Sequence, residues 1–306
     1  MSAECPRRVT AVVVTWNRRE LLAETLVALR SQARPPDSVV VVDNASEDGT
    51  ADLLAQTPDL DVVTLPVNTG GSGGFSAGLQ RALAAHDPVL LWLMDDDGVP
   101  APRCLAALLP HMTDHDFVGP AVLAQDDPDR LCFPIRLPGT ATVVHHMAAV
   151  RRAATDGVLE GVVIPFNGVL MTRELVERIG LPREEFFLWG DDVEYLWRAK
   201  RQGARVATVI AAQLMHPATD DLGTPMARGR TTYNHSPSDL KHYCMCRNNV
   251  VNLREYVGPL GVLAFVAKTL WFYTFTRPSA RRLRLSVEAM AAGARNDFSG
   301  HRRFLR

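Results

Sequence analysis

Three carboxylates stand in a row at Asp95-Asp96-Asp97, directly after the apolar run Leu90-Leu91-Trp92-Leu93-Met94 and before Gly98. Adjacent acids repel one another unless a positive group sits among them. A divalent cation bound to a phosphate is the natural such group, because hard metals take oxygen ligands. The plainer alternative is an acidic turn bent at Gly98. A second acidic set, Asp191-Asp192 with Glu194, follows Phe186-Phe187-Leu188-Trp189-Gly190. Val193, Leu196 and Trp197 share a helical face, so these acids fall in a first helical turn, where the dipole favours anions. They either match that dipole or supply a base that takes a proton from a hydroxyl. Asp43 ends another apolar run. It either caps the next turn or accepts hydrogen bonds from a base N–H or a ribose hydroxyl.

These residues need elements to hold them. Short, continuous apolar runs suit parallel strands buried on both faces, and ligands bind beyond the carboxyl ends of such strands. Val9 to Thr15, Ser38 to Val42, Asp61 to Leu65 and the run before Asp95 read as strands. Between them, Leu21, Leu22, Leu26 and Leu29 mark a helix over Arg19 to Arg30, and a second helix begins near Thr50. Asn68-Thr69-Gly70-Gly71-Ser72-Gly73-Gly74 reads as a glycine-rich loop, followed by a helix from about Gly78 to Ala85. Glycines let backbone N–H groups approach an anion at a helix start, although the lysine of a P-loop and the spacing of a dinucleotide fingerprint are missing. Strand–helix alternation of this kind gives an α/β, doubly wound, mostly parallel sheet.

Asp126 to Arg136 carries prolines and mixed charges and is expected to be a surface excursion. Thr142 to Gly157 is expected to be a solvated helix or mobile loop; its adjacent His145 and His146 cannot share one helix face, which argues against a metal pair. Val162 to Thr172 is an apolar strand around Phe166-Asn167-Gly168, where Asn167 is either an ordinary buried amide or a substrate contact. Val206 to Ala212 is a further strand, ending at Leu214-Met215-His216. His242 to Tyr256 reads as a basic helix, with Arg247 either solvated or on a diphosphate. Val257 to Phe275 is apolar but interrupted by Pro259 and Lys268, so it is expected to lie in a membrane interface or close the core rather than to span. Arg277, Arg281, Arg282 and Arg284 follow it and suit an anionic leaflet.

The chain has 306 residues, 47% hydrophobic and 22% charged, which is enough for a full core. A net charge of −1 gives no bulk attraction to nucleic acid, and no nucleic-acid partner is expected. Five scattered cysteines point to a reducing, cytoplasmic setting, and the polar start Met1 to Arg8 shows no signal peptide.

Taken in order, Val12 to Arg18, Val41 to Ser46, Asn68 to Gly74 and Asp95-Asp96-Asp97 resemble the family 2 glycosyltransferases of the GT-A fold. The resemblance implies a Rossmann-like catalytic domain over 1–235 and a helical C-terminal region over 236–306. It implies a nucleotide-sugar site at Thr15, Asn17, Arg18, Asp43, Asn68, Gly70, Gly71, Gly74, Asp95 and Asp96, with Asp43 at the base and Asp95 near the ribose. It implies Mn2+ or Mg2+ on Asp97, His216 and Asp95. Asp192 becomes the general base, Asp191 orients the acceptor, and Trp189, Asn167, Glu194 and Arg247 lie on the acceptor side. One base without a covalent nucleophile implies inversion at the anomeric carbon.

Asp127 to Arg136, Gly71 to Phe75 and Tyr243 to Asn248 look like the mycobacterial galactofuranosyltransferase branch. That branch implies UDP-galactofuranose as donor, a polyprenyl-diphosphate-linked glycan as acceptor, cell-envelope polysaccharide synthesis, and a place at the inner face of the cell membrane. A dTDP-rhamnose-dependent rhamnosyltransferase is the alternative within the family. A nucleotidyltransferase would need a basic, glycine-rich N-terminal signature, which Thr15-Trp16-Asn17-Arg18 does not supply. A catalytically silent nucleotide-sugar-binding protein would be expected to lack Asp192 or a metal ligand.

Overall fold

In a computed structural model, residues 7–140, 142–218, 223–229 and 231–305 are described. They form two units, one of 7–184 with 198–218 and one of 185–197 with 223–305. The C-terminal unit thus begins near 219 and takes in the segment before and through Asp191-Asp192.

The first unit opens with β1 (Val9–Thr15), α1 (Arg19–Arg30), β2 (Ser38–Asp43), α2 (Thr50–Ala55), β3 (Asp61–Thr64), α3 (Gly70–Ala85) and β4 (Leu90–Asp95). These follow the expected alternation, and β1 is buried along its whole length. Then come β5 (Val99–Pro100), α4 (Cys104–Leu108), β6 (Phe117–Ala124), β7 (Asp127–Arg136), β8 (Val143–His146), α5 (Met147–Ala153), β9 (Val158–Glu160), β10 (Asn167–Thr172) and α6 (Arg173–Ile179). After α7 (Asp191–Arg201), which begins in the second unit, β11 (Val206–His216) closes the sheet.

The sheet order is β3-β2-β1-β4-β10-β6-β11-β5. β3, β2, β1 and β4 run parallel, and β11 runs parallel to β6, while β10 is antiparallel to both neighbours. The order departs from chain order where β1 meets β4, so the ends of β1, β2 and β4 open on one crevice. Val13, Val41, Trp92, Met94, Leu22 and Leu26 pack the core beneath it. Trp92 Nε1 also donates to Gly168 O at 2.8 Å, tying β4 to the start of β10.

Three expectations are corrected. The glycine-rich stretch is not a loop before a helix: α3 begins at Gly70 and runs through it. A Cβ on Gly74 would fall 2.4 Å from Val14 Cγ1, and one on Gly78 2.4 Å from Val12 Cγ1. Absent side chains let the helix settle onto β1. The stretch from Asp126 is mostly a ten-residue strand, β7, with Leu131, Cys132 and Ile135 buried. Its prolines are tolerated because the strand pairs irregularly with β6 and β8. The segment after Thr142 is strand then helix, with Met147 and Val150 in the core and His145 and His146 exposed.

The second unit holds the hairpin strands β12 (Thr224–Met226) and β13 (Thr231–Tyr233), then α8 (Asp239–Tyr256), α9 (Pro259–Trp271) and α10 (Ala280–Ala294). Tyr233, Tyr243, Met245, Cys246, Phe272, Leu285 and Met290 form its core. Residues Phe272–Thr276 continue α9 as a π-helical turn. Pro259 sits in the first turn of α9, where its missing N–H costs nothing. The outward face of α9 is apolar: Leu260 is 79% exposed, Leu263 63% and Phe275 67%, with Leu270 and Trp271 beside them. The opposite face packs on this core through Val262, Phe265, Val266 and Thr269.

Candidate active site

In the first unit, the acidic triplet follows β4 and is gripped from β1 and the turn after it. Thr15 Oγ1 donates to Asp96 Oδ2 at 2.7 Å, and Arg18 Nη1 donates to Asp96 Oδ1 at 3.1 Å and to Asp97 Oδ2 at 2.5 Å. Thr25 Oγ1 holds the Asp96 carbonyl at 2.8 Å. Asp96 is thereby a structural hub, its oxygens taken by the protein. Asp97 points instead toward β11, where His216 Nε2 lies 3.2 Å from its Oδ1. The ring N–H does not lie along the bond, so Oδ1 stays buried without a hydrogen-bond donor.

Behind the imidazole, Nδ1 lies 2.8 Å from Pro217 O, and only the ring can be the donor there. That bond leaves Nε2 as the nitrogen turned toward Asp97. The Cys132 thiol lies 3.4 Å from Nδ1, and Phe133 packs its ring edge-on to the imidazole. Neither contact follows from a surface reading of the β7 stretch. Leu131, Cys132 and Ile135 are buried, with Pro128 exposed and Pro134 half-buried, and the apolar run Leu131-Cys132-Phe133 is the signal in the sequence for it.

The electrostatics follow from this crowding. Burial pushes the Asp95 carboxyl well above the ordinary range, and the charges of Asp97 and Asp96 push it further. Burial also raises Asp96, partly countered by Thr15 and Arg18. Burial works against the ionised form of Asp97 too, but His216 and Arg18 outweigh it and leave Asp97 lowered. For His216, burial disfavours the imidazolium, yet Asp97 and Cys132 override it and raise the ring to about 10.

Among the described residues, no three His, Cys, Asp or Glu side chains are already gathered as a metal-binding group. A bare carboxylate oxygen beside a ring nitrogen nonetheless forms a mixed oxygen–nitrogen donor pair that suits Mn2+. The residues fit the ion: Asp97 and His216 would hold it, with Asp95 adjoining.

The neighbouring expected residues fall near the same strand ends but do varied work. Asp43 Oδ1 accepts from the Ser46 N–H at 2.9 Å, the turn-capping role. Asn17, at a φ of 53°, accepts from the Glu47 N–H at 2.7 Å. Asn68 Oδ1 accepts from the Gly70 N–H at 2.7 Å, so it serves the start of α3. Asn44, not singled out from sequence, holds the same start: its Oδ1 accepts from the Thr69 N–H and its Nδ2 donates to Gly70 O, each at 2.8 Å. Gly71 lies within α3, and Gly74 faces Val14. Asn167 lies opposite Met94, one residue before Asp95. Its Nδ2 donates to Pro165 O at 2.9 Å, while its buried Oδ1 has no hydrogen-bond donor.

In the second unit, Asp191 and Asp192 start α7 as expected. Asp191 is buried and its carboxyl is pushed up to about 8, first by burial and then by the charge of Asp192. Burial raises Asp192 as well, although its Oδ1 accepts from the Val193 N–H at 2.7 Å. Burial thus holds both carboxyls above the ordinary carboxylate range, and the charge of Asp192 adds to it at Asp191.

Two acceptor-side expectations are corrected. Glu194 is 1% exposed and accepts from Tyr256 Oη at 2.6 Å, so it braces α7 against α8. Arg247 is 0% exposed and donates to Phe186 O, Phe298 O and His301, so it neither faces solvent nor is open to a diphosphate. Trp189, with a φ of 66°, packs beside the apolar cluster of this unit.

A doubly wound sheet with an acidic triplet after its central strand and a histidine closing a later strand is the layout of a GT-A glycosyltransferase. The chain belongs to the family described as glycosyltransferase like family 2, whose model matches residues 6–245. It is 33% identical over 303 residues to the galactofuranosyltransferase GlfT1 of Mycolicibacterium smegmatis, covering 95% of this chain and 97% of that one. It is also 33% identical over 305 residues to GlfT1 of Mycobacterium tuberculosis, covering 95% and 96%. Among solved structures, S. aureus TarS superimposes with a TM-score of 0.60 at 14% identity, over 97% of this chain and 50% of that one. The mannosyltransferase PcManGT from Pyrobaculum calidifontis, in complex with GDP-Man and Mn2+, gives a TM-score of 0.55 at 19% identity, over 99% and 79%. The protein is thus a glycosyltransferase of galactofuranosyltransferase-like sequence.

Proposed function

We propose that this chain is an inverting, metal-dependent transferase that moves galactofuranose from UDP-galactofuranose to a polyprenyl-diphosphate-linked glycan in cell-envelope polysaccharide synthesis. The observation that carries the metal-dependent part is the bare Asp97 Oδ1 beside His216 Nε2. The identity to the galactofuranosyltransferase GlfT1 along nearly the whole chain supports galactofuranose as the sugar moved.

In this reading the crevice above β1, β2 and β4 takes the nucleotide, with Asp43 at the base and Asp95 near the ribose. A divalent cation on Asp97, His216 and Asp95 would neutralise the departing diphosphate. Arg18, already resting on Asp97, supplies a second positive charge there. Asp192 removes the proton of the acceptor hydroxyl, whose oxygen forms a bond to the anomeric carbon as the carbon–diphosphate bond breaks. UDP leaves, the proton stays on Asp192, and the configuration inverts. Asp191 orients the acceptor.

The enzyme acts at the inner face of the membrane. Pro259–Thr276, 18 residues with a mean hydropathy of 1.2, is long and apolar enough to cross a membrane. One side of it is fixed by buried Thr269, Phe272 and Tyr273, which favours lying in the interface over spanning.

The test is a donor screen with Mn2+, following nucleoside diphosphate release and transfer to a short polyprenyl-diphosphate disaccharide. Turnover with UDP-galactofuranose is expected. Turnover with dTDP-rhamnose alone would move the chain to the rhamnosyl alternative.

A further inference from the structure

The backbone that delivers the acidic pair is unusual. Phe187 and Trp189 have φ angles of 68° and 66°, and Gly190 has 89°. L side chains adopt that conformation only under constraint. Four carbonyls of this path accept from side chains of α8, although Phe186 O also accepts from the Leu188 N–H and Gly190 O from the Glu194 N–H. Asn248 Nδ2 donates to Phe186 O at 3.0 Å, Leu188 O at 3.1 Å and Trp189 O at 2.8 Å. One turn further along α8, Asn252 Nδ2 donates to Gly190 O at 2.7 Å.

The amide of Asn248 is itself oriented. Arg247 Nε donates to Asn248 Oδ1 at 2.8 Å, which obliges the NH2 end to face the segment. Arg247 in turn is held through Nη1, which donates to His301 Nδ1 at 3.0 Å and Phe298 O at 3.1 Å. Arg247 and Asn248 are fully buried and Asn252 almost so. Three large polar side chains are thus committed to a corner that ends one residue before Asp191. An apolar helix face would have packed the unit without them, and each would be costly to bury if left unpaired.

We propose that Asn248 and Asn252, with Arg247 orienting the first, are positioning residues that fix the Trp189-Gly190 corner and so aim the Asp192 carboxylate at the acceptor hydroxyl. The proposal rests on Asp192 being the base. It adds that the aim is set from α8 by side-chain amides rather than by α7 alone.

The test uses the full chain with Asn248→Ala and Asn252→Ala, each alone and each combined with Asp192→Asn. Misplacing a base by about an ångström costs on the order of 100-fold. For the single variants, kcat for transfer is expected to fall about 10- to 100-fold while the dissociation constant for UDP with Mn2+ stays unchanged. In the Asp192→Asn background the same changes are expected to add no further loss. Wild-type kcat in folded Asn252→Ala, or a full additional loss on top of Asp192→Asn, would overturn the positioning role. Wild-type transfer by Asp192→Asn alone would instead remove the base assignment. If Asn248→Ala does not fold, Asn252→Ala still decides.

Discussion

Arg18 occupies an ambiguous position that a single experiment resolves. Its guanidinium bridges Asp96 and Asp97 and stands close to where a cation would neutralise Asp97. Two positive groups competing for one carboxylate weaken each other's binding, whereas both favour a diphosphate. Arg18→Met is therefore expected to tighten binding of Mn2+ alone several-fold and to weaken UDP binding about 10-fold, measured by Mn2+ spin resonance and by calorimetry. Unchanged Mn2+ binding would mean that Arg18 yields Asp97 at no cost. Asp97→Asn should lose Mn2+ binding about 10-fold or more, since Asp97 would be a direct ligand. At this scale the sequence was legible where chemistry was clustered: Asp95 to Asp97, Asp191-Asp192 and the single His216. It misled where long polar side chains turned inward. Arg247 and Glu194 look like surface or substrate residues until their buried partners, far away in sequence, are seen.

Helices and strands with simple periodicity could be read almost to the residue. β1 and α1 span Val9–Thr15 and Arg19–Arg30 as expected, because their apolar residues repeat without interruption. α3 was hidden because its first turns are glycines, which are poor helix formers read locally. The contact with β1 explains Gly74 and Gly78, while Gly73 lies against Thr69 and Gly70 takes a φ of 72°. Gly78→Ala tests that account away from the strand ends. The added methyl would lie 2.4 Å from Val12 Cγ1 and 3.0 Å from Val42 Cγ2. Overpacking of this kind costs about 1–3 kcal/mol, against at most about 1 kcal/mol gained from helix propensity. Urea unfolding should show the net loss, and Val12→Ala added to it should cost less than the sum of the two. No loss with Gly78→Ala would mean that α3 does not need the close approach. β7 was hidden for the converse reason, since its Pro128 and Pro134 suggest a loop while its pairing is irregular enough to admit them.

For the second unit as a whole, acid is expected to be destabilising through its buried histidines. Burial holds His301 down to about 4, reinforced by Arg247, whose Nη1 needs His301 Nδ1 as an acceptor. Burial holds His242 at about 4 as well. An unfolded histidine takes its proton near 6.5, so between pH 6.5 and 4 the unfolded chain binds protons that the folded chain refuses. The contribution is full above pH 6.5 and is lost as pH falls through that window. Asp191, raised to about 8, has the opposite sign, so the contribution is isolated by difference. The fall in Tm from pH 7.5 to pH 5 is expected to be smaller in His301→Gln than in the wild type, because glutamine can accept from Arg247 without titrating. Equal falls would show that His301 is not held neutral.

The outward face of α9 bears on where the molecule works. Leu260, Leu263, Leu270, Trp271 and Phe275 recur at helical spacing along one side, and no acidic residue occurs between Pro259 and Thr276. Exposed Arg277, Arg281 and Arg284 follow at its C-terminal side. Apolar surface of that extent is costly in water, while inserted leucine and aromatic side chains each gain about 1.5–3 kcal/mol when fully buried. Nearby arginines add about 1 kcal/mol each at an anionic surface, a term that salt screens. Together these favour a shallow, charge-selective attachment. The wild-type chain is expected to sediment with vesicles containing phosphatidylglycerol and less with pure phosphatidylcholine, and added salt should reduce but not abolish binding. Leu263→Asp with Trp271→Asp should remove binding while leaving transfer to a short-chain, water-soluble acceptor unchanged, since both residues lie outside the acidic sites. Retained vesicle binding in that double variant would place the attachment elsewhere. Loss of soluble transfer would instead show that α9 shapes the second unit rather than addressing it to a membrane.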